Sequence, residues 1–297
     1  MYSSVVAAPA SRATLVSAVQ TALGVDAQKA DAIVTGFDDY VAKPLAANLT
    51  KLRGRDLAKR NPMIYTVRGV TSVDEWVDRV LEDKETSAIE SHIGTWQEEV
   101  ARIVSGGVKP GSGIDLQRDQ PGNTRIIELY AIQSAPNTKS SGGRRSDVDA
   151  LKKAAGALRA SKRTVEMNIA VLSGRSTTSP LRADPNIVVL GSDDFWEKVS
   201  GIPDFRARLI RVTNILSVLI KGRAATEVAR IKKEAKQLFD DGKGGLKLDA
   251  LADPPKLPQR RGPSPHGDEI LSGKPREPGP VVRSGSYPCG IDPEVGA

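Results

Sequence analysis

Apolar residues recur every three or four positions through most of the first hundred residues. "ATLVSAVQTALGV" keeps this spacing until Gly24-Val25 closes it. "DAQKADAIVTGFDDYVAKPLAANLTKL" continues with Ala, Ile, Val and Phe on one face. "TSVDEWVDRVLEDKETSAIES" opens with a Thr/Ser cap and acids in its first turn. It then places Val73, Trp76, Val77 and Val80 at i, i+3, i+4 and i+7. "SAIESHIGTWQEEVARIVSGG" predicts a further helix, with Ile89, Ile93, Trp96, Val100 and Ile103 on its buried stripe and a stop at Gly106-Gly107. "NPMIYTVRG" reads as a loop or short strand.

After Gly107 the period changes. "SGIDLQRD" and "TRIIELYAIQS" are strand candidates joined by a "QPGN" turn. "SDVDALKKAAGALRASKR" returns to helical spacing behind a Ser cap. "VEMNIAVLSG" and "NIVVLGS" are β-branched apolar runs. "DDFWEKVSG" and "PDFRARLIRVTNILSVLIKGRAATEVARIKKEAKQLFDDG" are helical. Helix, strand, strand, helix, strand, strand, helices is the order of an α/β protein with a mixed sheet flanked by helices. The expected organisation is a helical N-terminal subdomain over 1–87, an α/β core with C-terminal helices over 88–245, and a tail over 254–297. Ten of the 19 prolines fall in that tail, a composition that buries too little apolar surface to offset ordering entropy and is expected to be disordered.

Charge adds a partner to this picture. The chain is net +7, but residues 139–175 carry nine cations and three acids, and residues 205–236 carry nine and two. The rest of the chain is therefore net negative. Two basic segments in an acidic background point to a polyanion, with solvated basic helix faces as the plain alternative. One cysteine, Cys289, excludes an internal disulfide framework and a Cys-based zinc site, and suits a reducing cytoplasm. No stretch reads as a signal peptide or a membrane span, "ILSVLI" being too short to cross a bilayer.

Candidate chemistry gathers around the first two strands. Metal-assisted phosphodiester hydrolysis needs hard oxygen ligands for a cation such as Mg²⁺. Asp115, after the flexible "KPGSG", is either a central ligand or a strand-end turn residue. Glu98 and Glu99 precede it on a helix, where one of them can border the sheet edge; a solvated acidic pair is the alternative. Strand alternation puts Ile127, Leu129, Ala131 and Gln133 on one face and Glu128, Tyr130 and Ile132 on the other. Glu128 and Gln133 therefore do not share a site in a regular strand, and Glu128 reads as solvent-facing or salt-bridged. The loop "SAPNTKSSGGRR" offers donors from Asn137, Lys139, Ser140, Ser141, Arg144 and Arg145 to phosphates or base edges. Arg159, Lys162 and Arg163 follow it. His92 and His266 have no Cys or His nearby to make a metal site.

"GTWQEEVARIV", "GSGIDLQ" and above all "LYAIQSAPNTKSSGGRRSDVDALKKAAGALR…VEMNIAVLSGR" resemble the PmeII-like type II restriction endonucleases of the PD-(D/E)XK superfamily, over residues 60–225. The resemblance implies a restriction-endonuclease-like fold and Mg²⁺-dependent cleavage of double-stranded DNA, with Mn²⁺ as a substitute. It also implies a homodimer and a bacterial defence role beside a cognate methyltransferase. On it, Asp115 matches the metal-binding aspartate, and Glu98, less well Glu99, matches a helix acid that assists as a second ligand; Glu128 is a further alternative. Gln133 stands where a lysine is usual and Ala131 where a second acid is usual. By the chemistry of their own side chains, Asn137, Lys139, Ser141, Arg144, Arg145, Lys162 and Arg163 are the expected DNA contacts. The departures at 131 and 133 leave a second reading open, a DNA-binding pseudonuclease that keeps the fold without turnover.

Overall fold

In a computed structural model, the described residues are 11–111, 113–135, 141–174 and 177–252. The Pro-rich tail, with His266 and Cys289, lies outside them.

The N-terminal segment is helical, as its spacing predicts. It comprises α1 (Arg12–Leu23), α2 (Ala27–Phe37), a π-helical turn (Asp38–Ala42), α3 (Lys43–Lys51), α4 (Gly54–Leu57) and α5 (Met63–Val67). The loop or strand expected at "NPMIYTVRG" is instead α5. Pro62 stands at its cap in helical backbone, and the Asn61 side chain accepts from the Met63 amide, so the turn is nucleated locally. The two helices expected between residues 71 and 107 are one, α6 (Val73–Ser105). Ser72 caps it by accepting from the Glu75 amide at 3.2 Å. Nothing from Leu81 to Trp96 breaks it, and Gly106 ends it at φ 68°. α6 therefore runs through residue 88, and the helical segment and the core share it.

The sheet follows with β1 (Leu116–Gln120), β2 (Asn123–Gln133), β3 (Thr164–Val171), β4 (Ser179–Leu181) and β5 (Asp184–Leu190), in the order β1-β2-β3-β5-β4. β2, β3 and β5 are parallel, while β1 and β4 pair antiparallel at the edges. This is the expected mixed sheet, with the three-residue β4 added; its only long apolar residue is Leu181, too weak a pattern to read as a strand. α7 (Ser141–Ala160) joins β2 to β3. α8 (Ser192–Ser200), α9 (Phe205–Phe239) and α10 (Leu248–Ala252) complete the described chain.

Two apolar layers cover the sheet. Ile127, Leu129, Ala131, Met167 and Ile169 pack with Leu151 and Ala155 of α7. On the other face Tyr130, Ile132, Ala170 and Leu172 pack with α1, α2, α8 and the facing halves of α6 and α9, around Trp96 and Trp196. The far halves of α6 and α9 enclose a second core with Trp76, Val77, Val228, Ile231 and Phe239. Among the described residues no helix is long and apolar enough to cross a membrane.

Candidate active site

β1 and β2 stop pairing at Asp115. Its amide donates to the Tyr130 carbonyl at 3.0 Å, one step beyond the Leu116–Tyr130 pair. The backbones then diverge, and the Asp115 carboxylate takes over: its Oδ2 accepts from the Ile132 amide at 2.7 Å. That bond fixes the side chain at the sheet edge and leaves Oδ1 for other partners.

α6 brings Glu98 to the same place. A Cβ built on Gly94 would meet Ser134 Oγ at 3.1 Å, so this face of α6 lies against the end of β2. Glu98, four residues on, shares that face. Glu99 is one step around the helix and forms an ion pair with Arg102. Of the two acids, Glu98 is therefore the one on the face of α6 turned toward the end of β2.

Lys109 sits between the two carboxylates. Its Nζ is 3.2 Å from Glu98 Oε2 and 3.9 Å from Asp115 Oδ1. Partial burial pulls its pKa down, but the Glu98 charge first and then Asp115 outweigh that and hold the ammonium above the ordinary lysine range. Its backbone is anchored: the neighbouring Val108 exchanges two 2.8 Å hydrogen bonds with Gln117. Gly107 permits this approach, because a Cβ there would lie 2.6 Å from Leu116 Cδ1 and 2.7 Å from the Gln117 carbonyl oxygen. The sequence reading missed Lys109. It lies in a Gly/Pro-rich stretch outside any periodic pattern, and only its place between two acids in the fold marks it.

Gln133 and Ala131 face α7, as strand alternation predicts, and both are buried. Gln133 Nε2 donates to Asp147 Oδ2 at 3.1 Å. Asp147, also buried, lies in the α7 segment whose sequence reads only as a helix behind a Ser cap. Glu128 points to the opposite face, where it is 1% exposed and salt-bridged. Its Oε2 accepts from Arg118 Nε at 2.5 Å and from Tyr130 Oη at 2.6 Å, and Lys198 Nζ lies 3.3 Å from its other oxygen. Arg118 also donates to the Val199 and Lys198 carbonyls at the end of α8. Glu128 is thus a structural anchor, apart from Asp115.

The basic segments divide. On α9, Arg206, Arg223, Arg230, Lys232 and Lys236 pair with Asp193, Asp38, Glu227/Glu234, Asp78 and Asp74. Most of its charge is therefore met inside the chain. On α7, Arg144 and Arg145 stand near Asp147, at the Gln133 end of the sheet. Lys162 and Arg163 follow the other end of a helix of about 30 Å. Arg163 there pairs with Asp119 at 2.6 Å, while Lys162 is exposed. Asn137 and Lys139 lie outside the described residues, as does the Ser141 side chain.

Among the described residues no three His, Cys, Asp or Glu side chains group to hold a metal. Glu98 and Asp115, which flank the Lys109 ammonium as two hard oxygen donors, are the residues that could hold one. Mg²⁺ needs no more from protein, since it keeps waters and takes phosphate oxygens.

The family model of the type II restriction endonuclease EcoO109I matches residues 32–217. That span holds α6, the whole sheet, Glu98, Lys109, Asp115 and Gln133. No curated protein matches the chain. With more than half of its length covered, this chain belongs to the EcoO109I family of type II restriction endonucleases.

Proposed function

We propose that the protein is a Mg²⁺-dependent endonuclease that cleaves double-stranded DNA, with Glu98 and Asp115 as the metal-binding carboxylates. The observation that carries this reading is the convergence of those two acids, from α6 and from the start of β1, on one cation at the sheet edge. A bound Mg²⁺ would polarise the scissile phosphate and lower the pKa of a bound water. The chain's own residues do the rest. Asp115 is held in place by the Ile132 amide, and Glu98 is carried on a long, rigid helix. Arg144 and Arg145, near the same edge, offer charge to the DNA backbone. Mn²⁺ is the expected substitute metal. A homodimer, a cytoplasmic site of action, and a role in restriction of phage DNA beside a cognate methyltransferase rest on family likeness alone, as does the closer PmeII-like kinship.

The test is conversion of supercoiled plasmid to linear DNA in Mg²⁺, using unmodified DNA of varied sequence. Cleavage is expected to stop with EDTA and in Asp115→Ala. EDTA-resistant cleavage would refute the metal site.

One observation favours a second reading, a DNA-binding protein without turnover. Gln133 is neutral and buried against Asp147, and Ala131 offers no ligand. Binding of duplex DNA with no cleavage in Mg²⁺ or Mn²⁺ would select that reading.

A further inference from the structure

We infer that Lys109 is the cationic catalytic residue of this site: it holds the seat between Glu98 and Asp115 until the metal enters, and then contacts the scissile phosphate. The inference rests on the nuclease reading and deepens it. Phosphodiester cleavage adds negative charge to a group that already carries one, and a fixed cation beside the metal stabilises that increase. Gln133 does not supply such a charge. Its amide is neutral, and its Nε2 is committed to Asp147.

Lys109 meets the requirements on three counts. Its ammonium donates to Glu98 at 3.2 Å and lies 3.9 Å from Asp115 Oδ1. Its backbone is located by the Val108–Gln117 bridge, so the side chain starts from a fixed point. The side chain is 61% exposed, so it has room to swing outward without leaving the site. A divalent cation competes for the same two oxygens. Displaced by such a cation, the exposed ammonium would stay tethered beside the two carboxylates, within reach of a phosphate brought to them. One lysine thus neutralises the acid pair in the resting protein and serves the phosphate in the working one.

The experiment pairs metal binding without DNA with cleavage at saturating DNA and Mg²⁺, for wild type, Lys109→Ala, Lys109→Arg and Glu98→Ala. Mn²⁺ binding is read by calorimetry. Lys109→Ala removes the competitor and is expected to tighten Mn²⁺ by about three- to tenfold, the effect of one unit charge at this distance when it is screened nearly as in bulk water. Glu98→Ala should weaken it. Lys109→Ala should also slow cleavage by about a hundredfold, with DNA affinity within about threefold at fixed salt, one phosphate contact being a small part of the whole. Lys109→Arg should recover part of the rate. Tighter metal with slower turnover is a combination that a purely structural ion pair does not produce. Wild-type cleavage by Lys109→Ala would overturn the catalytic role and leave the nuclease reading standing. Unchanged Mn²⁺ affinity would overturn the shared seat. If wild type cuts no DNA while Lys109→Ala still binds Mn²⁺ more tightly, the nuclease reading and the catalytic role fail and the seat stands.

Discussion

Gln133 Nε2 and Asp147 Oδ2 lie 3.1 Å apart in a place that solvent barely reaches. Asp147 Oδ2 accepts from the amide nitrogen, so the Gln133 carbonyl oxygen is turned away from it. β2 and the start of α7 are thereby tied together at the end of the sheet that carries Asp115. Gln133→Ala removes this bond from a buried place and should destabilise the fold by about 1–3 kcal/mol. Asp147→Ala should cost a similar amount, and the double substitution less than the sum of the two. Urea midpoints would show this; full additivity would mean the bond contributes nothing. Gln133→Lys should not raise any cleavage, because its ammonium would pair with Asp147 rather than reach the phosphate. A faster plasmid time course for Gln133→Lys would contradict the geometry.

The Asp115–Ile132 bond separates chemistry from folding. Asp115→Ala removes a metal ligand and also the acceptor for the Ile132 amide, at a cost of about 1–3 kcal/mol. Asp115→Asn keeps an oxygen for that amide while losing the charge. Both should abolish cleavage, and only the alanine variant should melt clearly lower. Duplex binding, carried by basic groups elsewhere, should survive in each. An asparagine variant that cleaves at the wild-type rate would remove Asp115 from the metal site.

What the sequence made legible follows physical reach. Strand alternation placed Glu128 and Gln133 on opposite faces because a regular strand allows nothing else, and salt-bridging was among the readings for Glu128. The helical stripes of α1, α6 and α9 were plain because each buries one apolar face. Choosing between Glu98 and Glu99 was beyond local pattern. They differ by one step around the helix, and only the packing of Gly94 on Ser134 decides which one faces β2. Lys109 and Asp147 were missed for the same reason, since each is defined by a partner distant in sequence or in another element. The basic run on α9 looked like a DNA surface because its partners Asp38, Asp74 and Asp78 come from the other end of the chain.

That last point changes where salt-sensitive binding should map. Each phosphate neutralised releases counterions, so affinity falls steeply as salt rises from about 50 to 200 mM. Arg145→Glu, on an exposed residue near the candidate site, should weaken duplex binding and flatten the salt slope. Arg223→Glu should do little to binding. It instead breaks the two-pronged bond to Asp38, at 2.6 and 2.7 Å, and costs the modest stability of a partly exposed pair, at most about 1 kcal/mol. Anisotropy titrations at two salt concentrations distinguish them. A larger binding loss in Arg223→Glu than in Arg145→Glu would return α9 to the DNA surface.

The Arg118–Glu128–Tyr130 network predicts an acid limit to stability. Burial pushes the Glu128 carboxyl up, but hydrogen bonds from Tyr130 and Arg118, with the Arg118 and Lys198 charges, outweigh it and leave the pKa below the ordinary glutamate value. Burial first, and then the Glu128 charge, push the Tyr130 hydroxyl the other way, so it remains a donor across the working range. Because the folded pKa of Glu128 is depressed, its contribution is fully present above the unfolded value of about 4.3 and is lost as pH falls through the folded one. Wild type should therefore lose stability as the pH drops below about 4.3. Glu128→Gln removes the titrating group and flattens that part of the curve. It also leaves Arg118, whose side chain is 4% exposed, without its countercharge. The variant should be less stable at neutral pH by about 3–5 kcal/mol, the cost of an uncompensated buried charge. The two stability curves should therefore converge toward acid. Parallel wild-type and Glu128→Gln curves of melting temperature between pH 7 and about pH 3 would show that Glu128 does not carry the linkage assigned to it.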